Sequence, residues 1–196
     1  MDRIYPYLME SEGEILRLEL KTDPDALREQ AHWCGIRPGQ RILDAGCGPG
    51  KTTFILYNMI QPGGEIIGID QSEDMVRYAT DKYGNHDGIL FYSRDFKHRI
   101  NDLGEFDIIW LRFILEYHLR DGIEIIKNLS SVLKAGGYLC LLDLDHNCLN
   151  QYPLPVKIQD LLTRLIDVLQ REHNFDPYAG RKLYSYLYGI LSNTRR

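Results

Sequence analysis

Short apolar runs alternate with amphipathic segments along most of the chain. The apolar runs are rich in isoleucine and leucine and lack strict alternation with polar residues, as in strands buried on both faces. The segments between them place apolar residues three and four positions apart, the spacing of helices that pack on a sheet. This pattern predicts an α/β fold with a mostly parallel sheet and flanking helices. The predicted strands are 41–44, 65–70, 89–92, 106–111 and 138–144.

Capping residues mark the beginnings of two predicted helices. Asp23 and Pro24 fit the N-cap and first position of a helix that ends near Cys34, because Gly35 follows it. Ser72 fits the N-cap of another helix, with acidic residues in the first turn. The predicted helices are 10–20, 24–34, 51–60, 73–83, 122–133, 156–172 and 178–190.

The pattern divides the 196-residue chain into three regions. Residues 1–35 form a helical cap, residues 36–145 a core of strands and helices, and residues 146–196 a helical C-terminal region. Within the core, Ala135-Gly136-Gly137 is predicted to turn the chain from a helix into the fifth strand. The hydrophobic content of 44% is enough for a core of ordinary size.

A glycine-rich loop follows the first predicted strand. Gly46, Gly48 and Gly50 lie between Asp44 and the next helix. Glycines let the backbone approach a ligand closely, and the first N–H groups of a helix are free to bind it. Three classes of nucleotide-binding protein use this layout. The dinucleotide fingerprint G-x-G-x-x-G fits poorly, because the third glycine comes one residue early.

A phosphate-binding P-loop is the second alternative. The run Gly50-Lys51-Thr52 matches the end of the G-x-x-x-x-G-K-[ST] motif, and Asp143 after an apolar run could hold magnesium. Two residues argue against this alternative. Asp44 would face the phosphates, and Pro49 removes a backbone N–H group that a phosphate cradle needs. A P-loop nucleotide hydrolase is therefore the less favoured interpretation.

Five motifs, in order, resemble those of the class I S-adenosylmethionine-dependent methyltransferases. The first is L-D-A-G-C-G-P-G at residues 43–50, and the second ends in Asp70, twenty residues past Gly50 (70 − 50). The resemblance covers residues 36–144 and implies a Rossmann-like, doubly wound sheet. The other three motifs are Ser93-Arg94-Asp95-Phe96, Phe106-Asp107-Ile108-Ile109-Trp110 and Leu133-Lys134-Ala135-Gly136-Gly137, where Ala135 replaces the family's proline.

The resemblance implies that S-adenosylmethionine is the cofactor and assigns residues to it. Asp70 would accept hydrogen bonds from the ribose hydroxyls, and Asp95 would accept one from the adenine amino group. Arg17 matches an arginine that lies near the methionine end of the cofactor in a functionally mixed subgroup. The residues expected to bind the cofactor are Arg17, Asp44, Gly46, Gly48, Asp70, Gln71, Met75, Asp95, Phe96 and Arg112.

Purely structural roles are open for several of these residues. Asp44 could cap the turn, and Asp95 could pair with neighbouring basic residues. Phe96 and Met75 are apolar, so each could pack in the core or on the adenine ring.

No catalytic residue is assigned from the sequence. Arg112 could bind a carboxylate or pair with Glu116 four residues later. Tyr117 and His118 follow the fourth predicted strand and could act as a general base. A histidine at a helix end without a catalytic task is the more common case.

The charge and composition of the chain limit the classes of substrate and the cellular compartments to be considered. The formal net charge is −5 without a basic stripe, which argues against a nucleic-acid substrate and favours a small molecule. None of the four cysteines forms a C-x-x-C pair, so no metal site is expected. Free thiols predict a cytoplasmic protein, and no apolar stretch is long enough for a signal peptide or membrane span.

The family usually completes its sheet with a sixth and a seventh strand, and no such hairpin is predicted after Tyr178. Its absence would leave the fifth strand at an open edge, so a homodimer is a further expectation. The sequence thus predicts an S-adenosylmethionine-dependent methyltransferase that acts on a small molecule. The main alternative from another class is a cofactor-binding module without turnover.

Overall fold

A computed structural model of the chain describes residues 13–146 and 151–193. Residues 1–12, which include the start of the helix predicted at 10–20, lie outside the described residues, as does Cys148. The strands are β1 (Arg41–Ala45), β2 (Glu65–Asp70), β3 (Ile89–Ser93), β4 (Phe106–Arg112) and β5 (Leu133–Leu142). The helices are α1 (Glu14–Lys21), α2 (Pro24–Trp33), α3 (Lys51–Ile60), α4 (Glu73–Tyr83), α5 (Gly122–Ser130), α6 (Val156–His173) and α7 (Ala179–Asn193).

The five described strands form one sheet in the order β3-β2-β1-β4-β5. β1 pairs in parallel with both β2 and β4, and β2 pairs in parallel with β3. The chain order therefore runs outward in one direction from β1 to β3 and in the other from β4 to β5. This confirms the predicted doubly wound α/β class, in which ligands bind where the strand order reverses.

The described residues pack into two compact units. The first contains residues 13–111 and 127–141, and the second contains residues 112–126, 142–146 and 151–193. The first unit holds most of the sheet and helices α1 to α4. The three regions inferred from the sequence stay a prediction. Fully buried side chains in the core of the first unit include Leu27, Ile42, Leu43, Leu56, Ile66, Ile69, Ile108 and Trp110.

Both predicted caps are present. The Asp23 carboxylate accepts hydrogen bonds from the backbone N–H groups of Asp25 (2.9 Å) and Ala26 (3.3 Å) at the start of α2. The Ser72 hydroxyl accepts one from the N–H of Met75 (3.4 Å) at the start of α4. Each side chain satisfies donors that have no partner within the helix.

The predicted start of the fifth strand is wrong. β5 begins at Leu133 rather than Tyr138, and α5 ends at Ser130, so Ala135-Gly136-Gly137 lies inside the strand. A Cβ atom at Gly137 would lie 2.9 Å from the Asp107 carbonyl oxygen in β4. The glycine therefore permits close strand packing instead of a turn before the strand.

Charged residues tie the strands together at the amino end of the sheet. Asp107 accepts hydrogen bonds from the Arg41 backbone N–H (2.7 Å) and from Lys134 Nζ (3.0 Å to both oxygens). Arg41 Nε also lies 3.2 Å from a Glu65 carboxylate oxygen. Burial raises the pKa of Asp107, but the Arg41 N–H and the Lys134 ammonium outweigh it and lower the pKa overall. We call these four residues the amino-edge cluster.

A second carboxylate in an unusual environment lies in the second unit. Asp143 follows β5 and accepts hydrogen bonds from the backbone N–H groups of Leu115 (2.7 Å) and Leu144 (2.8 Å). Burial raises the pKa of Asp143 to about 6, although these backbone donors favour the charged form. The carboxyl group of Asp143 therefore binds its proton more tightly in the folded chain than in the unfolded chain.

We expect Asp143→Asn to flatten the pH dependence of stability between pH 4 and 6. The wild-type contribution is fully present below about pH 4 and is lost as the pH rises through about 6, because the folded pKa is the higher one. Over this pH range the contribution of Asp143 to the free energy of unfolding falls by about 3 kcal/mol. Urea unfolding at several pH values measures it. An unchanged difference between variant and wild type across this range would contradict the assignment.

The described part of the chain contains three free cysteines, Cys34, Cys47 and Cys140. Across residues 13–146 and 151–193, no helix combines the length and apolar composition needed to cross a bilayer.

Candidate functional site

The glycine loop is fastened to the carboxyl end of β2. The backbone N–H groups of Gly46 and Cys47 both donate to the Ile69 carbonyl oxygen, at 2.8 and 3.0 Å. The N–H of Gly48 donates to a carboxylate oxygen of Asp70 at 2.9 Å. Two predicted site residues, Gly48 and Asp70, are thus in direct contact. The loop after β1 and the acid after β2 form one structural feature.

Asp70 is positioned by backbone donors on both sides. Its second carboxylate oxygen accepts a hydrogen bond from the Ser72 N–H at 2.9 Å. Burial raises the pKa of Asp70, and backbone N–H groups of Ser72, Gly48 and Gln71 oppose the shift. Each carboxylate oxygen has two acceptor positions, so the carboxylate keeps acceptor capacity beyond these backbone donors.

Asp44 is buried at the end of β1, with only 2% of its surface exposed. Its carboxylate accepts a hydrogen bond of 2.6 Å from the Thr53 hydroxyl, which is fully buried on α3. The sequence interpretation missed Thr53. A polar residue at a position of α3 that faces the sheet was the available signal. The contact fixes the orientation of the Asp44 carboxylate beneath the glycine loop.

We expect Thr53→Val to lower the free energy of unfolding by about 1–3 kcal/mol, because it removes a donor from a buried carboxylate without changing the side-chain shape. The same variant should bind the cofactor more weakly. Urea unfolding and calorimetric titration measure the two effects. Thr52→Val, at the half-buried neighbouring position, is the matched control and should change neither. Equal effects of the two variants would exclude a special role for Thr53.

Asp95 and Phe96, which were predicted near adenine, lie just after β3, and Met75 lies on α4. One Asp95 oxygen accepts a hydrogen bond from the Lys97 N–H (2.9 Å), and the other lies 3.4 Å from His98 Nδ1. The local pairing considered from the sequence is therefore present. About a third of the Asp95 side chain stays exposed (36%), while Phe96 is buried and Met75 is half-buried. Their contacts with adenine stay predictions.

The remaining predicted residues lie on α1, after β2 and at the end of β4. Arg17 on α1 forms a bidentate ion pair with Glu14, at 2.5 and 2.7 Å. Gln71 is exposed directly after β2. Arg112 is the last residue of β4, and its guanidinium lies 4.1 Å from the ring centroid of Phe113. Phe113 has a φ of 59°, a left-handed conformation that marks strained backbone and often accompanies functional sites.

The contacts of Lys51 argue against the P-loop alternative. A P-loop lysine points at phosphates, but the Lys51 ammonium donates to the carbonyl oxygens of Glu19 and Thr22 (2.9 Å for Thr22) at the end of α1. Asp143, the proposed magnesium ligand, accepts hydrogen bonds from backbone N–H groups. Both residues that carried the P-loop interpretation therefore have structural partners.

The acids Asp44, Asp70 and Asp95 lie at the carboxyl ends of β1, β2 and β3, which are neighbours in the sheet. This edge, with its glycine loop and this strand order, has the arrangement expected of a class I methyltransferase domain. A model of the family described as "Methyltransferase domain" matches residues 36–186. The chain belongs to this methyltransferase family, and the cofactor of the family is S-adenosylmethionine.

Curated relatives and solved structures agree with this assignment. The demethylmenaquinone methyltransferase of Staphylococcus carnosus is 33% identical over 107 residues, which are 54% of this chain and 44% of that protein. The enzyme of the same name from Staphylococcus aureus is 30% identical over 109 residues, 56% of this chain and 45% of that protein. The chain thus spans less than half the length of these relatives.

Two solved structures share the fold at low sequence identity. The YcgJ protein of Bacillus subtilis has a TM-score of 0.60 and 21% identity, and the match covers 87% of this chain and 68% of that one. A coclaurine N-methyltransferase bound to N-methylheliamine and SAH has a TM-score of 0.53 and 19% identity. That match covers 59% of this chain and 34% of the other.

The donor and acceptor groups at this edge fit S-adenosylmethionine. The Asp70 carboxylate has acceptor capacity left that a ribose hydroxyl could use. Asp95 has a partly exposed carboxylate that could accept from the adenine amino group, and the half-buried Met75 could offer apolar surface to the ring. The glycines of the loop carry no side chains of their own, so the backbone there could approach a bound cofactor closely.

Proposed function

We propose that the chain transfers a methyl group from S-adenosylmethionine to a small-molecule acceptor. The observation that carries this proposal is the hydrogen bond between Gly48 and Asp70, which joins the glycine loop to the acid that fits a ribose. When bound, the cofactor supplies an electrophilic methyl group on a sulfonium. The protein's own contribution is to bind and orient the reactants, which can lower the barrier by several kcal/mol.

The named relatives suggest where the search for an acceptor should begin. Both are demethylmenaquinone methyltransferases, so we propose a quinone-type small molecule as the first acceptor to test. The net charge of −5 gives no electrostatic attraction to a nucleic acid. A general base is required only if the acceptor atom carries a proton, and Tyr117 and His118 stay candidates for that role.

The test is a transfer assay with the whole protein. Labelled S-adenosylmethionine is incubated with demethylmenaquinone, in oxidised and reduced form, and with a panel of small phenols, amines and thiols. Mass spectrometry detects both the methylated acceptor and S-adenosylhomocysteine. We expect stoichiometric formation of the two products with one acceptor class. Tight cofactor binding without product from any acceptor would favour a cofactor-binding module instead.

Two further proposals concern the cellular compartment and the oligomeric state of the protein. The free thiols of Cys34, Cys47 and Cys140 support a reducing compartment such as the cytoplasm. A homodimer through the edge of β5 also stays a proposal, since β5 is the outer strand of the described sheet. Sedimentation of the purified protein tests the second proposal directly.

A further inference from the structure

Helix α1 is too short to be stable by itself. It contains eight residues, and isolated helices of fewer than about twelve residues are marginal in water. Two of its apolar side chains, Leu16 (63% exposed) and Leu20 (76% exposed), contribute little burial. The order of α1 in the first unit must therefore depend on specific contacts with its neighbours.

The first contact is made by the Glu19 side chain. Its carboxylate accepts hydrogen bonds from the Tyr83 hydroxyl, at 3.0 and 3.2 Å, and lies 2.9 Å from the Lys82 ammonium. Only 13% of the Glu19 side chain is exposed, so solvent screens these contacts weakly. The Tyr83 ring stacks on Phe54 at 4.9 Å between centroids. Glu19 thereby connects α1 to both α4 and α3.

The second contact is made by the Glu19 main chain. The Lys51 ammonium donates to the carbonyl oxygens of Glu19 and Thr22, at the C-terminal end of α1. A cation at this end satisfies carbonyl groups that have no partner within the helix. Lys51 is the first residue of α3 and follows Gly50 directly. The residue directly after the glycine loop therefore holds the end of α1.

These contacts place α1 on the loop itself. A Cβ atom at Gly48 would lie 3.5 Å from a methyl carbon of Leu18, the residue before Glu19. Gly48 is also the residue whose N–H donates to Asp70. We propose that Glu19 is a positioning residue that holds α1 over the glycine loop and thereby slows cofactor release. This inference rests on the proposed function, because it concerns the same cofactor.

The test compares Glu19→Ala with Glu29→Ala, which removes an exposed carboxylate from the neighbouring helix α2. We expect Glu19→Ala to release S-adenosylhomocysteine about tenfold faster in stopped-flow measurements, with little change in the association rate. A tenfold change in the release rate is the size expected when one charge-assisted hydrogen bond is removed. Amide hydrogen exchange without cofactor should show a similar, about tenfold, loss of protection at residues 16–22. Glu29→Ala should behave as wild type in both measurements.

Tyr83→Phe is a milder variant in case Glu19→Ala folds poorly. It should show a smaller acceleration of release, and combining it with Glu19→Ala should add nothing, because both remove the same hydrogen bond. Unchanged release by Glu19→Ala, whether or not exchange in α1 increases, would overturn the inference alone. A wild-type protein that binds no S-adenosylmethionine would instead overturn the proposed function, whatever the exchange data show.

Discussion

Asp70→Ala is expected to weaken the binding of S-adenosylmethionine by about 100-fold or more, the largest loss for any single substitution at the site. In the proposed ribose-binding role the variant removes a carboxylate acceptor, and each hydrogen bond to a charged group contributes about 1.5–3 kcal/mol. It also removes the acceptor for the Gly48 N–H, so the loop loses its tie to β2. Calorimetric titration with S-adenosylmethionine and S-adenosylhomocysteine measures the loss.

The matched control for this prediction is Asp74→Ala. Asp74 lies in the first turn of α4 and is 78% exposed, in an ion pair with Arg77 at 3.0 Å. Its removal changes the charge near the same helix but leaves the loop untouched, so affinity should stay within about twofold. Asp70→Asn preserves the size of the side chain and separates lost charge from lost packing. An Asp70→Ala variant that is folded and binds normally would exclude the ribose role.

Gly50→Ala is expected to reduce the free energy of unfolding by about 2–5 kcal/mol. Gly50 has a φ of 88°, which costs an L-residue about 1–2 kcal/mol. A Cβ atom there would also lie 2.7 Å from the Ala79 Cβ and 3.1 Å from the Phe91 ring, and such overpacking costs about 1–3 kcal/mol. Urea unfolding followed by circular dichroism measures the sum.

Gly39→Ala separates the two contributions to this prediction. Gly39 has a similar φ of 82°, but no atom lies within 4 Å of the position of an added Cβ. Only the backbone cost of about 1–2 kcal/mol should remain in this variant. If both variants lost the same stability, the contact of the loop with Ala79 and Phe91 would have no energetic weight.

Much of the fold could be predicted because local signals agreed with one another. The bounds of α3 (51–60) and β2 (65–70) match the sequence prediction, and the caps at Asp23 and Ser72 are present. In each case a turn or cap bounds a run of clear periodicity. The start of β5 was missed, since glycines usually indicate a turn. The close approach of Gly137 to β4 depends on a partner strand that local sequence does not reveal.

The candidate site, like the fold, was predicted in part from the sequence. The motifs that resemble the family placed Asp44, Asp70 and Asp95 at or just after the ends of three strands, and the sheet order makes those strands neighbours. The contacts of Thr53 and Glu19 join residues on different elements, and the sequence does not identify their partners, although a polar residue on the sheet-facing side of α3 was a signal for Thr53. Only the folded chain reveals these contacts.

The position of the amino-edge cluster affects which substitutions can change the stability of this protein. Arg41, Asp107 and Lys134 connect β1, β4 and β5 at the edge of the sheet opposite the glycine loop. Substitutions there act on the stability of the sheet at a distance from the acids that fit the cofactor. Evolution or protein engineering can therefore change the thermal stability of the sheet through these residues without substituting any residue of the glycine loop.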